Sequence, residues 1–247
     1  MYRSVVFVVL AAALGSATAA DQPLEMEASL KPKLLALLPE SRPPKPIART
    51  LQTEEWQFKG RFGKKLVHSR SLYVPQEAGL VRLEDANSMR GWRDVLVVCG
   101  LIALQSSGSS QVEGLVTNET STRLTGFEAS SAGICRPSPG AEFSYRFEAE
   151  RRYDVRDNMT GLFGRKGTRL ETFDVLCKAD AAYLPASEIF RSLEGNALPV
   201  RCEQKSDAAA ITFEYAFLPE SGVYLRLRDR SAAHQTELRY MEIRYRD

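Results

Sequence analysis

Alternation of apolar and polar residues with a period of two is the feature that most constrains the fold of this chain. It runs through Ile211 to Phe217, and after a Pro-Glu-Ser-Gly turn at 219–222 it resumes from Val223 to Leu227. A third segment, Phe143 to Ala149, puts its aromatic residues on one face and polar residues on the other. Such a period is typical of β-strands that bury one face, so the sequence predicts a mainly β protein.

Strand signals also occur in the amino-terminal half of the chain. Trp56 begins an alternating segment, and Leu66 to Val74 is a further strand candidate. The apolar run Val95 to Cys99 predicts a strand buried on both faces, although its extension to Leu104 leaves a helix open. We expect the Ser- and Gly-rich segment Gln105 to Ser110 to be a break between elements.

Together these segments predict about nine to eleven strands joined by short turns, with no strand–helix alternation. The predicted fold class is an antiparallel β-sandwich or lipocalin-like barrel with one short helix and an extended amino-terminal leader. The short helix is placed at Ser187 to Leu193, ahead of Gly195. In the last strand, Glu237 to Tyr245, the phase slips near Tyr240-Met241, which indicates a β-bulge.

The amino end has the pattern of a secretory signal peptide. Arg3 provides the positive charge, Val5 to Leu14 the apolar run, and Ala17-Thr18-Ala19 the small residues of a cleavage site. We expect cleavage after Ala19 or Ala20, which makes residues 1–20 the signal peptide. The sequence therefore predicts a periplasmic or secreted protein.

A membrane-embedded form of the mature chain is not expected. The apolar run of the signal peptide is too short for a spanning helix, and no later segment reaches that length. A transmembrane β-barrel is the alternative, and it is disfavoured because the chain ends in Asp247 rather than in an aromatic residue.

Residues 21–48 are predicted to form a leader ahead of a single mainly β domain, residues 49–247. Within the leader, Leu30 to Leu38 favours one or two helical turns. The prolines between Pro39 and Pro46 favour an extended, flexible chain. A spacer or docking peptide is the alternative to a plain flexible leader.

Four cysteines in an exported protein predict two disulfides. Of the three possible pairings, Cys99–Cys135 and Cys177–Cys202 close the shortest loops and are preferred. The cysteines lack the close spacing of a zinc site, and the chain has only two histidines. We therefore expect no metal site and no cofactor.

Charge and motifs narrow the function classes. The formal net charge is only +2, which argues against nucleic acid as a partner. Neither G-x-S-x-G nor S-x-x-K occurs, and His68 and His234 have no recognisable nucleophile nearby. No catalytic residue is assigned.

The best candidate site is a long hairpin tip predicted at residues 156–168. Glycines, apolar residues and cations together suit a mobile loop that touches a partner or an anionic surface. The alternative is that the apolar residues fold back over the end of the domain. The residues of this candidate site are Met159, Leu162, Phe163, Arg165 and Lys166.

A second candidate is a cationic face on the last two strands, represented by Arg226 and Arg228. Arginines at alternate positions of paired strands could bind an anion. Carboxylates such as Asp229 and Glu237 are interspersed, and cross-strand salt bridges explain the pattern equally well.

These observations predict an exported, non-enzymatic protein that binds a small apolar or anionic ligand or an envelope protein. An envelope assembly protein that uses the 156–168 hairpin is the alternative, and a secreted hydrolase is the third possibility. An interior ligand pocket would distinguish the first from the second. Oligomeric state is not predicted by the sequence.

Overall fold

A computed structural model describes residues 28–38, 50–59, 63–75, 80–87, 92–112, 116–130, 132–160, 164–207, 209–232 and 235–244. One α-helix, α1, is described in these ranges, at Lys31–Leu35. The strands are β1 Thr50–Lys59, β2 Gly63–Pro75, β3 Leu80–Asn87, β4 Trp92–Val98, β5 Ile102–Val112, β6 Val116–Ala129, β7 Glu142–Asp157, β8 Gly164–Ala179, β9 Leu184–Pro185, β10 Asn196–Lys205, β11 Ala210–Leu218, β12 Val223–Ser231 and β13 Gln235–Arg244. Short 3₁₀ turns lie at Ala132–Cys135 and Ala186–Glu188.

The sheet closes on itself. Consecutive strands pair antiparallel from β1 to β8, β10 pairs with both β8 and β11, and the series continues to β13. β13 then pairs with β1, from Thr50 opposite Arg244 to Gln57 opposite Thr236. All strands except the two-residue β9 thus form one ring. The structure confirms the predicted mainly β, antiparallel, barrel-like fold.

One end of the barrel, here called the packed end, holds most of the fully buried side chains. It carries the β4–β5 turn at 99–101, the β6–β7 connection at 130–141 and the β11–β12 turn at 219–222. Phe217 and Tyr224 are almost completely buried there, with ring centroids 4.9 Å apart. The Tyr224 hydroxyl donates a 2.5 Å hydrogen bond to the carbonyl oxygen of Ile134.

Both disulfides are those predicted from the loop lengths. Cys99–Cys135 links the β4–β5 turn to the first 3₁₀ turn. Cys177–Cys202 joins directly opposite residues of β8 and β10. Disulfides form and persist in oxidising compartments, so their presence indicates a location outside the reducing cytosol.

Part of the predicted leader is docked inside the packed end. Leu30, Leu34 and Leu37 are buried in the main hydrophobic core, because helical spacing puts all three on one face of α1 and the turn that follows. The Lys33 ammonium donates to the Phe127 carbonyl oxygen at 3.5 Å. β5 pairs with β6 only as far as Arg123, so α1 lies beside a stretch of β6 that this neighbour does not cover.

Two local predictions need correction, and the structure decides one alternative that the sequence left open. Gln105 to Ser110 lies within β5 rather than in a break, and its small residues allow close strand packing. A Cβ at Gly108 would stand 2.9 Å from the Trp92 carbonyl oxygen. Ile102 to Leu104 is strand rather than helix, because Cys99 and Gly100 turn the chain with positive φ values.

The second correction concerns Ser187 to Leu193, which does not form an α-helix. Its backbone hydrogen bonds are mostly of the i+3 type, as from Ile189 N to the Ala186 carbonyl, and the segment ends at Gly195 with φ +79°. Its apolar residues still pack on the barrel, with Leu193 buried. The predicted bulge is confirmed, since Met241 is the unpaired residue of β13 opposite Gln52 and Thr53.

Candidate functional site

The β7–β8 hairpin at the opposite end of the barrel, here called the hairpin end, is more regular than predicted. Pairing continues from Glu142 opposite Lys178 to Arg156 opposite Gly164, so the tip spans 158–163 instead of 156–168. Arg165 and Lys166 consequently lie in β8. Met159 is 72% exposed at the tip. Leu162 and Phe163 lie outside the described residues, which leaves their prediction untested.

Asp157 organises the described part of the tip. Its carboxylate accepts hydrogen bonds from the Thr160 hydroxyl and from the Met159 backbone N–H, the latter at 2.9 Å. These bonds favour the ionised form, with the Thr160 hydroxyl as the larger contribution, and hold the pKa of Asp157 below its ordinary value. The turn is therefore ordered by local polar contacts.

Arginines on the outward face of β7 are paired with carboxylates. Arg146 and Asp174 form a two-pronged contact of 2.7 and 2.9 Å. Arg152 contacts Glu150 at 2.6 Å. Arg156 contacts Asp154 at 2.8 Å and, in the next strand, Glu119 at 3.1 Å. Exposed pairs of this kind neutralise the outer surface and contribute little to stability.

The inward face of β7 differs from the outward face. Its row begins with the buried Phe143 and Tyr145 and, toward the hairpin end, continues to Arg151 and Tyr153. Arg151 stands directly opposite Arg169 of β8. We call Arg151, Arg165 and Arg169, which share this face, the arginine rim. Within the described part of the chain, no carboxylate lies within ion-pair distance of these three guanidinium groups.

Tyr153 and Gly167 give the rim its shape. A Cβ at Gly167 would lie 2.5 Å from the Tyr153 hydroxyl oxygen, so the phenol ring lies across the bare backbone of β8. The Arg169 guanidinium carbon is 5.9 Å from the centroid of this ring, within cation–π distance. Gly167 therefore leaves room for the Tyr153 ring to pack on β8.

Between the packed core and the rim lies a row of aromatic residues. Phe147 and Phe173 stack at 4.7 Å, and Tyr145 is 6.2 Å from Phe147. From the β11 side, Phe213 and Tyr215 lie 5.9 Å apart and pack against the same core. We call Phe147, Phe173, Phe213 and Tyr215 the aromatic ledge; all four are half-buried.

Arg226 and Arg228 do not share a face. In the pairing of β11 with β12, Tyr215 stands opposite Arg226 and the adjacent Glu214 stands opposite Arg228. Leu227 is the extra residue of a β-bulge, and it turns Arg226 and Arg228 to opposite faces of the sheet. Arg228 lies near Glu214 and Glu237, at 3.5 and 3.7 Å. The predicted cationic face is therefore divided, and its outer part is neutralised.

Arg226 belongs to a polar cluster beside the aromatic ledge. It contacts the buried carboxylate of Asp229 at 3.5 Å. Burial raises the pKa of Tyr215 to about 12, against the opposing charges of Arg226 and of Arg93 from β4.

An open groove of about 520 Å³ lies outside the barrel, across β6, β7, β8 and β10. It holds the Arg146–Asp174 pair, hydrogen-bonded Ser130 and Ser144, and Leu176, which is 55% exposed. Its lining carries three carboxylates, Glu128, Asp174 and Glu203, and two cations, Arg146 and Lys205, so it offers less to an anion than the arginine rim does.

Comparison with known proteins gives no relative: no protein family, curated protein or solved structure matches this chain. Among the described residues, no helix is long and apolar enough to cross a membrane. The same residues contain no cluster of His, Cys, Asp and Glu side chains suited to a metal ion.

The sequence reasoning missed Arg151, Tyr153 and Arg169 as candidate residues. The signal was present, because the alternation that starts at Phe143 continues through Tyr153 in the same phase. It was obscured because the row changes from aromatic to cationic after Ala149, which hides its continuity in a hydropathy pattern.

Proposed function

We propose that this protein is an exported, non-enzymatic binding protein whose ligand carries an anionic group held by the arginine rim. The signal-peptide pattern of residues 1–20 and the two disulfides support export. The closed barrel supplies a rigid frame for a site at its hairpin end.

This proposal rests on the difference between the arginines on the two faces of β7. Arg146, Arg152 and Arg156 on the outward face all have carboxylate partners. Arg151 instead stands opposite another arginine, an arrangement that destabilises an antiparallel pair by charge repulsion. An anion between Arg151 and Arg169 would remove that repulsion and accept their hydrogen bonds.

Adjacent residues provide a matched test. Arg151→Ala and Arg152→Ala remove the same side chain from neighbouring positions of one strand, but from opposite faces. On a heparin column, used as a general polyanion, we expect Arg151→Ala to elute at clearly lower salt than Arg152→Ala. Equal elution of both variants would show that net charge alone governs retention, and the proposed site would be wrong.

The exposure of Met159 favours a second candidate, an interaction protein with a protein partner at the hairpin tip. Met159 is 72% and Leu170 68% exposed, so both apolar side chains are accessible to a partner. A photo-crosslinking amino acid at position 159 in the native host would give one discrete protein adduct, absent when the probe is at position 178. Absence of an adduct at both positions would leave the anionic ligand as the remaining proposal.

A further inference from the structure

We propose that this protein forms a two-fold symmetric dimer, in which a free edge of β8 pairs antiparallel with the same edge of a second copy. Each copy would place charged side chains beside the arginine rim of the other. The inference goes beyond the proposed function and does not depend on an anionic ligand.

The free edge is the part of β8 that has a strand neighbour on one side only. β10 pairs with β8 from Ala179 to Asp174 and then ends at Lys205. β7 continues beside β8 as far as Gly164. Among the described residues, no strand pairs with the other side of β8 between Gly164 and Phe173, which leaves about 30 Å of open edge.

Two other openings in the sheet are closed by the chain itself. α1 lies against the part of β6 that β5 leaves uncovered. Where β13 separates from β12, the Tyr240 hydroxyl donates a 2.6 Å hydrogen bond to the carbonyl oxygen of Arg226. The free edge of β8 has no such cover in the described part of the chain, and an uncovered edge is a template for pairing with another chain.

Backbone groups along β8 point alternately to its two sides. The Ala179 N–H donates to Ala141, on the side of β7. The next N–H, that of Asp180, donates to Pro199 on the side of β10. Because β7 and β8 pair without a register shift, every second residue presents its N–H and C=O to the free edge. These residues, all exposed, are Gly164, Lys166, Thr168, Leu170 and Thr172.

Charge complementarity identifies the second copy as the occupant of this edge. In a two-fold pairing centred on Thr168, Arg165 stands opposite Glu171 of the second copy, and symmetry repeats this pair. Thr168 faces its own counterpart, and Arg169 faces the bare backbone of Gly167. Arg165 and Glu171 share the inward face of β8, and neither has an ion-pair partner among the described residues.

Other registers are less favourable. A displacement of two residues sets Arg165 opposite Arg169 in one direction and Arg169 opposite itself in the other, and like charges directly opposite are destabilising. A displacement of four residues sets Lys166 opposite itself, or else brings it against Asp174, which is already paired with Lys205. The preferred register lies entirely within the free edge.

The dimer would also join the two arginine rims. Arg169 of each copy lies diagonally across the interface from its counterpart, and diagonal positions of paired strands are about 7–8 Å apart. This repulsion is weaker than direct opposition, and the two Arg165–Glu171 pairs offset it. The two rims would form one cationic surface on the two-fold axis.

Charge exchange followed by sedimentation velocity tests the interface, and the mature protein should sediment as a dimer at micromolar concentration. Arg165→Glu and Glu171→Arg each set like charges opposite one another, so each variant alone should sediment as a monomer. An equimolar mixture of the two variants restores both opposite-charge pairs and should sediment as a heterodimer. Arg152→Glu changes the net charge equally on the outward face of β7 and should remain dimeric.

Single cysteines report the register. Thr168→Cys lies on the two-fold axis, where the Cα atoms of a hydrogen-bonded pair are about 5.5 Å apart, within the range of a disulfide. Under mild oxidation this variant should give a covalent dimer on a non-reducing gel. Leu170→Cys and Thr172→Cys should not, because their counterparts lie farther along the strand.

The outcomes separate this inference from the proposed function. A monomeric mature protein, or a mixture of the two charge variants that stays monomeric, would disprove the dimer. Stronger cross-linking through Leu170→Cys than through Thr168→Cys would disprove the register. In either case the heparin comparison of Arg151→Ala with Arg152→Ala still tests the anion site. Far-ultraviolet circular dichroism of each variant excludes misfolding as the cause.

Discussion

The packed end and the hairpin end are built from the same strands but hold their structure by different means. At the packed end, two disulfides, α1 and rings such as Phe217 exclude water almost completely. At the hairpin end, order comes from exposed ion pairs and from polar contacts such as those of Asp157. A single strand such as β7 thus contributes to the buried core at one end and to the proposed binding site at the other.

β7 shows the change within one strand. Its inward row passes from the buried Phe143, through the half-buried Phe147, to the exposed Arg151 in eight residues. Burying an aromatic side chain stabilises the fold by several kcal/mol, whereas an exposed arginine contributes almost nothing. Residues near Arg151 are consequently free to serve binding, and residues near Phe143 are not.

The largest expected effect distinguishes the two ends by stability. Phe217→Ala leaves a cavity among fully buried side chains and should lower the free energy of unfolding by about 3 to 5 kcal/mol. Phe173→Ala removes a half-buried ring of the aromatic ledge and should cost only about 1 kcal/mol. Urea unfolding followed by fluorescence measures both, and equal losses would contradict the difference between the ends.

Removal of the Cys177–Cys202 disulfide tests whether the packed end acts on the rim. The double variant Cys177→Ala/Cys202→Ala opens a loop of 25 residues and should lose about 3.5 kcal/mol of stability. Lys178→Ala/Arg201→Ala, the adjacent cross-strand pair on the outward face, is the control and should lose little. Retention on heparin should be unchanged in the folded disulfide variant; reduced retention would show that the two ends are coupled.

The leader helix provides the third comparison. Leu34 is completely buried and Leu35 only partly, although they are adjacent in α1. Leu34→Ala should therefore cost about 2 to 4 kcal/mol and Leu35→Ala less than about 1 kcal/mol. If both variants unfold at the same urea concentration as the unaltered protein, α1 is not part of the stable core in solution.

The sequence predicts the packed end of the barrel better than the hairpin end. Period-two patterns around Phe143 and Phe217 predicted the strands. Loop lengths predicted the disulfide pairing, and the phase slip at Met241 predicted the bulge. Each of these predictions depends only on local spacing along the chain. The rim was missed because the pairing of Arg151 with Arg169 depends on the register of two strands and not only on spacing along the chain. The division of the predicted cationic face was missed as well, because it depends on the bulge at Leu227 that turns Arg226 away from Arg228.

The smallest expected effect concerns the polar order of the hairpin tip. Hydrogen bonds from Thr160 and Met159 depress the pKa of Asp157 below its ordinary value of 3.8. A depressed folded-state pKa contributes stability above the unfolded pKa, and that stability is lost as the pH falls through the folded pKa. The tip should therefore loosen only in strong acid, as the pH falls through the lowered pKa of Asp157.

Carbon-detected NMR titration of the Asp157 carboxyl group measures this directly. Thr160→Ala removes the largest contribution and should move the Asp157 pKa upward toward its ordinary value. Thr168→Ala, on the same hairpin but opposite Arg152, should leave it unchanged. An unchanged Asp157 pKa in Thr160→Ala would mean that the tip is not ordered by this hydrogen bond. The regular β7–β8 pairing alone would then hold the arginine rim in place.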